Sequence, residues 1–219
     1  MITFPGSPRL LKGGLVLVDP DNGQPQQVIN FQINPETVSR SLQVQRVETG
    51  GGNNPQALRL KGPAVETINL EVQIDAADQL EFPEQNPTTA ELGIYPQLAA
   101  LEAIVYPTST RLQANEALAQ AGTLEIVPMM APLTLFVWSK QRILPVNITE
   151  LSFTEEIHDP FLNPLRAKVS LGMQVLSTDD LSFSSYGGGL YMSYLTQKEQ
   201  LAKKSPPGTL NTFGIGGLP

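Results

Sequence analysis

Apolar and polar residues alternate with a period of two along much of the chain, which predicts strands that each turn one face to a core. The cleanest run is "AKVSLGMQVLS" (167–177), with Ala167, Val169, Leu171, Met173 and Val175 on one side and Lys168, Ser170, Gly172 and Gln174 opposite. In "ETINLEVQID" (66–75), Ile68, Leu70, Val72 and Ile74 form the apolar row, and Glu66, Asn69, Glu71, Gln73 and Asp75 stand outside it. "GGLVLVD" (13–19) and "QQVINFQIN" (26–34) flank a turn-rich "PDNGQP". "RILPVNITELSFTEEI" (142–157) keeps Leu144, Val146 and Ile148 in phase and then slips by one to Leu151 and Phe153. That slip predicts a β-bulge at Thr149-Glu150. "TLEIVP" (123–128) and "LTLFVWS" (133–139) read as two further strands.

"FQINPETVSRSLQVQ" (31–45) breaks this regularity. It starts as a strand, meets Asn34-Pro35, and resumes with Leu42 and Val44 against Gln43 and Gln45, the start of a strand over 39–48. Asn-Pro favours a turn, and proline cannot donate to a central ladder, so the chain must change direction here. "TGGGNNPQALRLKGP" (49–63) reads as a long mobile loop.

The middle of the chain changes period. After the polar excursion 78–93, Ile94, Leu98, Leu101 and Val105 fall at helical spacing, with Pro96 suited to a first turn and Pro107 closing the segment. One packed helix is expected over about 95–106, and a short helical or irregular piece over 108–122. At the other end, 182–189 reads as a linker and 190–204 as a helix with Leu190, Tyr194 and Leu201 among its apolar positions. The Pro/Gly-rich 205–219 is expected to be extended and ordered only against a partner. The expectation is therefore a mainly β domain, barrel or sandwich, over 1–181, followed by a helical and extended arm over 182–219.

Composition narrows the function. Apolar residues make up 41% of the chain and charged residues 16%, against about a quarter in ordinary globular proteins. A surface so poor in charge and rich in amides and hydroxyls suits a face covered by partners. The net charge of −7 and sequence pI of 4.7 argue against nucleic acid and against anionic membranes. There is no apolar run of the roughly 20 residues a membrane-spanning helix needs, and no signal-peptide core, so synthesis and folding in the cytoplasm are expected.

With no cysteine, disulfide frameworks, thiolate metal sites and Cys nucleophiles are excluded, and a single His158 removes most histidine-base schemes. "TEEIHDP" (154–160) gathers Glu155, Glu156, His158 and Asp159, but metal sites need further ligands, so a solvated strand end and turn is the expectation. The glycine triplets at 50–52 and 187–189 precede no phosphate-loop helix and read as flexible loops. Trp138 closes a strand, and Asp179-Asp180 are expected to cap a turn. No catalytic residue, cofactor site or metal site is assigned.

Two blocks carry a family resemblance. "FQINPETVSRSLQVQ" (31–45) resembles the F-x-x-N-P signature near the start of tube-type baseplate proteins of contractile injection systems, the phage-tail-like particles. "VWSKQRILPVNITELSFTEEIHDPFLNPLRAKVSLGMQVLSTDDL" (137–181) is similar to a second block of that family: an aromatic before a basic turn, then a TEE segment, then L-N-P and R-A. "PRLLKG" (8–13) precedes both, so the resemblance spans roughly 8–200. It implies a tube-like β fold and a ring, hexameric by analogy, where inner tube, spike or hub, and baseplate or sheath proteins meet. It implies a resident of the assembled bacterial particle, with neither nucleic-acid binding nor direct membrane insertion. The family often continues into a LysM module, for which this chain has a short Pro/Gly tail instead. The residues the resemblance nominates for interfaces are Phe31, Asn34, Pro35, Arg40, Trp138, Arg142, Asn163, Pro164, Arg166, Tyr191 and Tyr194. A ligand- or carbohydrate-binding β domain is the alternative, although aromatics are only 6% of the chain.

Overall fold

β-branched and aliphatic residues at alternating positions set the strands: β1 Gly14–Val18, β2 Pro25–Asn30, β3 Val38–Gln43, β4 Val65–Asp75, β5 Leu133–Ser139, β6 Arg142–His158 and β7 Pro164–Val175. A computed structural model of the chain describes residues 11–46, 59–120, 122 and 131–217. Among these, the seven strands form one antiparallel sheet in the order β2-β1-β5-β6-β7-β4-β3. The protein is thus mainly β with helices added. The strand expected over 123–128, the glycines at 50–52 and most of the loop expected over 49–63 lie outside the described residues.

The apolar rows meet as their period requires. Ile68, Leu70, Val72 and Ile74 of β4 lie opposite Met173, Leu171, Val169 and Ala167 of β7, and all eight are buried. On the other side of β7, Met173, Leu171 and Val169 face Ile148, Leu151 and Phe153. The pairing shifts between Ile148 and Glu150, which is the bulge expected at Thr149-Glu150. Without it, Leu151 and Phe153 would turn to the opposite face.

β6 pairs with β5 through its first residues, Arg142–Val146, and with β7 through Val146–His158. Staggered pairing of this kind tilts strands and curls a sheet toward closure. The two edge strands, β2 and β3, are consecutive in the chain, so residues 31–37 cross from one edge of the sheet to the other. Gln32 links this crossing to the end of β4. Its Nε2 donates to the Asp75 carbonyl at 2.6 Å, and its Oε1 accepts from the Asp75 N–H at 2.8 Å. One side chain thereby reproduces a ladder pair where no ladder joins β2 to β4 among the described residues.

The remaining seam is covered by helix. The helices are α1 Ala77–Leu80, α2 Pro87–Leu92, α3 Tyr95–Glu102, α4 Ser109–Gln120 and α5 Tyr186–Ala202. The 78–93 excursion therefore contains ordered turns. Ile94, Leu98 and Leu101 are buried as their spacing predicts, but α3 ends at Glu102 and Val105 is 45% exposed. The approach to Pro107 disfavours helical backbone, which shortens the helix from the expected 95–106. Gly93 ends α2 at φ +60°, and a Cβ there would collide with the Pro164 carbonyl. α4 carries no buried residue.

The C-terminal segment corrects the sequence reading. Residues 186–189 are the first turn of α5, not part of a linker, and 187–189 are not a flexible loop. Ser185 caps the helix, its Oγ accepting from the Gly188 N–H at 3.1 Å. Gly187 and Gly188 are buried, and a Cβ on either would strike Leu133 and Leu181, or the Ser182 carbonyl. Tyr191 and Tyr194 are buried in the main core, and Leu190 packs on the second cluster of Val18, Leu133 and Leu135. The helix is therefore integral to the β domain and not an arm beyond residue 181. Beyond it, residues 203–217 are exposed, with a short 3-10 turn at Leu210–Phe213.

Candidate functional site

The Asn-Pro corner is an internal clamp. Phe31 is 3% exposed, and its N–H donates to the Gly13 carbonyl at 2.9 Å. Asn34 Oδ1 accepts from the Gly13 N–H at 2.9 Å, and its Nδ2 donates to the Leu11 carbonyl at 2.8 Å. Pro35, half-buried, stops the ladder so that the chain can step from β2 to β3. Of the residues nominated for interfaces, Phe31 is buried within the chain, and Asn34 has its amide engaged within the chain.

Arg40 enters a buried charge cluster that the sequence reading missed. Glu66 has the same parity as Ile68, so it lies on the inward face, 4% exposed. Its Oε1 accepts from Arg40 Nε at 2.7 Å, and its Oε2 from Lys198 Nζ at 3.1 Å. Arg40 Nη2 also donates to the Tyr194 hydroxyl at 2.9 Å, and Lys198 Nζ lies 4.4 Å from the Tyr194 ring centroid. Burial opposes the Arg40 charge, but hydrogen bonding and attraction to Glu66, with Tyr194 beside it, raise its pKa above the ordinary value. Two cations from β3 and α5 thus neutralise one carboxylate from β4. A lone Glu in a strand pattern reads as solvent-facing, and only the spacing to Lys198 and Arg40 in space reveals otherwise.

Beside this cluster opens a pocket of about 240 Å³. Arg40, Trp138, Arg142 and Tyr194, four of the nominated residues, line it together with Lys198, Gln197 and Leu201. Trp138 stacks on Phe136 with centroids 5.9 Å apart. The Gln197 Oε1 is buried without a partner, and the Arg142 side chain has no hydrogen bond or ion pair among the described residues. Tyr191, 7% exposed, lies in the core and not on a surface.

The other nominated residues sit at the far end of β6. Asp159 organises the β6–β7 turn: its Oδ1 accepts from the N–H groups of Phe161 and Asn163, both at 2.8 Å. Asn163 Nδ2 donates to Asp159 Oδ2 at 2.8 Å and to the Glu91 carbonyl at 3.0 Å. Partial desolvation resists the Asp159 charge, but the bonds from Asn163 and Phe161 outweigh it and lower its pKa. Pro164 is buried, its carbonyl accepting from the Ile94 N–H at 2.8 Å. Arg166 pairs with Asp75 at 2.7 Å. The turn holds out two side chains the sequence reading did not nominate, Phe161 at 86% and Leu162 at 75% exposure. Leu162 has φ +66°, a left-handed conformation costly for a branched residue.

His158 lies 3.3 Å from Glu155 and Lys168 2.8 Å from Glu156, and no group of three His, Asp or Glu side chains gathers among the described residues. Asp180 caps the turn after β7 as expected, accepting from the Ser177 N–H at 2.9 Å. A larger cleft of about 480 Å³ follows the seam, lined by Ile29, Phe31, Val72, Ile74, Gln97 and Leu101 among others. The Gln97 Oε1 is buried there without a partner. Among the described residues, no helix is long and apolar enough to cross a membrane. No family model matches the chain, and no curated protein matches it.

Proposed function

We propose that the chain is a non-enzymatic ring component of a contractile injection particle, made in the bacterial cytoplasm and resident where inner tube, spike or hub, and baseplate or sheath proteins meet. The observation that carries this reading is where the two resembling blocks fall in the fold. The first is the corner that carries the chain from one sheet edge to the other, and the second is the long β6–β7 hairpin with its projecting turn. Both shape a curled sheet with two edge strands, and edge strands are natural contact surfaces for neighbours. No step of the proposal needs a cofactor.

Electron microscopy of purified particles, with native mass spectrometry of the isolated layer, tests it. The expected result is a closed ring of this chain, sixfold by analogy, between tube and baseplate. Normal particles from cells lacking the gene, with the chain absent from wild-type particles, would rule the reading out. A second reading, ligand binding in a β domain, is favoured by one feature, the unpaired Gln97 Oε1 in the seam cleft.

A further inference from the structure

β6 carries complementary surfaces at its two ends. Its first residue, Arg142, lines the pocket formed with Arg40, Trp138, Tyr194 and Lys198. Its last, His158, leads into the turn that presents Phe161 and Leu162. Over 17 residues the strand separates them by on the order of 50 Å. The pocket end concentrates positive charge in a chain of net charge −7: Arg40, Arg142 and Lys198 line it, and Arg40 and Lys198 share the carboxylate of Glu66. The turn end carries Glu155, Glu156 and Asp159 beside its two exposed apolar side chains, and its cations are already paired, Lys168 with Glu156 and Arg166 with Asp75.

We infer that the β6–β7 turn of one copy docks into the Trp138–Arg142–Lys198 pocket of the next, with Phe161 as the anchor. The inference rests on the self-assembly proposed above and names its contact. Three observations favour a second copy as the occupant. The pocket, about 240 Å³, is large enough for an aromatic side chain and is walled by Trp138 and Tyr194. The turn supplies the apolar group, and Glu155 and Glu156 beside it carry the charge opposite to that of the rim. Finally, Asp159 and Asn163 hold the turn in its projecting shape before any contact, so docking orders little. Because donor and acceptor surfaces differ and lie at opposite ends of one strand, the contact is head-to-tail. Such contacts close into rings or run on as stacks.

The natural absence of cysteine gives a clean test. Phe161 and Leu201 are exposed, so F161C and L201C should fold. Treated with a short bis-maleimide, the F161C/L201C double variant should give a ladder of covalent multimers beyond the dimer, and each single variant should not. F161D should weaken self-association at least tenfold in native mass spectrometry, with an unchanged circular-dichroism melt. A double variant that crosslinks no further than the singles, with F161D assembling normally, overturns the docking contact and leaves the ring reading standing. Crosslinks from L201C to a different particle protein, with none to position 161, overturn it in favour of another occupant. A wild-type chain that stays monomeric both alone and on assembled tube layers overturns both readings.

Discussion

Glu66 is the residue on which β3, β4 and α5 converge. Removing its carboxylate leaves Arg40 and Lys198 close together with no counter-charge. Their side chains are 25% and 36% exposed, so both can turn toward water, which limits the damage. Glu66→Ala is expected to cost about 1–3 kcal/mol, below the full penalty for breaking a buried ion pair. Glu66→Gln, which keeps the shape and loses the charge, should cost less. Urea denaturation of the two variants checks the order, and equal, near-zero changes would show that the cluster is energetically neutral. This residue also shows where sequence pattern misleads. A period-2 rule sorts by polarity, so it placed Glu66 outside the row that its parity puts it in. The polar partners that make its burial tolerable come from residues 26 positions upstream and 132 downstream.

The strands were legible because their alternation is a local property, and even the β6 bulge announced itself as a phase slip. The start of α5 was not. Three consecutive glycines have poor intrinsic helix propensity, at about 1 kcal/mol each relative to alanine. Here Gly187 and Gly188 are required by close approach to Leu133, Leu181 and the Ser182 carbonyl, contacts that sequence alone does not show. The consequence is testable by truncation. Deleting residues 203–219 should leave the thermal melt unchanged, since 203–217 are exposed. Deleting 186–219 removes Tyr191 and Tyr194 from the core, uncovers Leu133, and takes Lys198 from Glu66. The expected outcome is loss of a cooperative melt and aggregation. A truncated chain with a native-like melt would restore the view of α5 as a separable arm.

For the molecule as a whole, the link between the end of β2 and the end of β4 was the least legible feature. Asn34-Pro35 could be read as a break, but the Gln32–Asp75 pair that the break permits links residues 43 positions apart. The assembled structure also has a definite response to pH. Tyr191 is raised above its ordinary 10.0, first by burial and then by the negative charges of Glu66 and Asp179. Lys168 is raised above 10.5, chiefly by its hydrogen bond to Glu156. Both contributions are complete below those unfolded-state values and are lost as pH rises through the folded ones. Asp159 works in the opposite direction: its contribution is present above its ordinary 3.8 and lost as pH falls through the lowered folded value. Thermal melts should therefore show these losses below about pH 4, from Asp159, and above about pH 10, from Tyr191 and Lys168. A midpoint that keeps rising above pH 10 would contradict the assignment for Tyr191.

The order of strands in the sheet also dictates when the chain can fold. β5, β6 and β7 follow one another within residues 133–175 and pair as neighbours, so they can form as soon as that stretch exists. β1 can pair with β2 at once, but its other edge must wait for them, because Gly14 also pairs with Val137. β4 can likewise pair with β3, but its other edge must wait, since Thr67 pairs with Gln174. During translation the N-terminal half thus leaves the ribosome able to form only the β1–β2 and β3–β4 pairs, and the β5–β6–β7 unit made later joins these two pairs into one sheet.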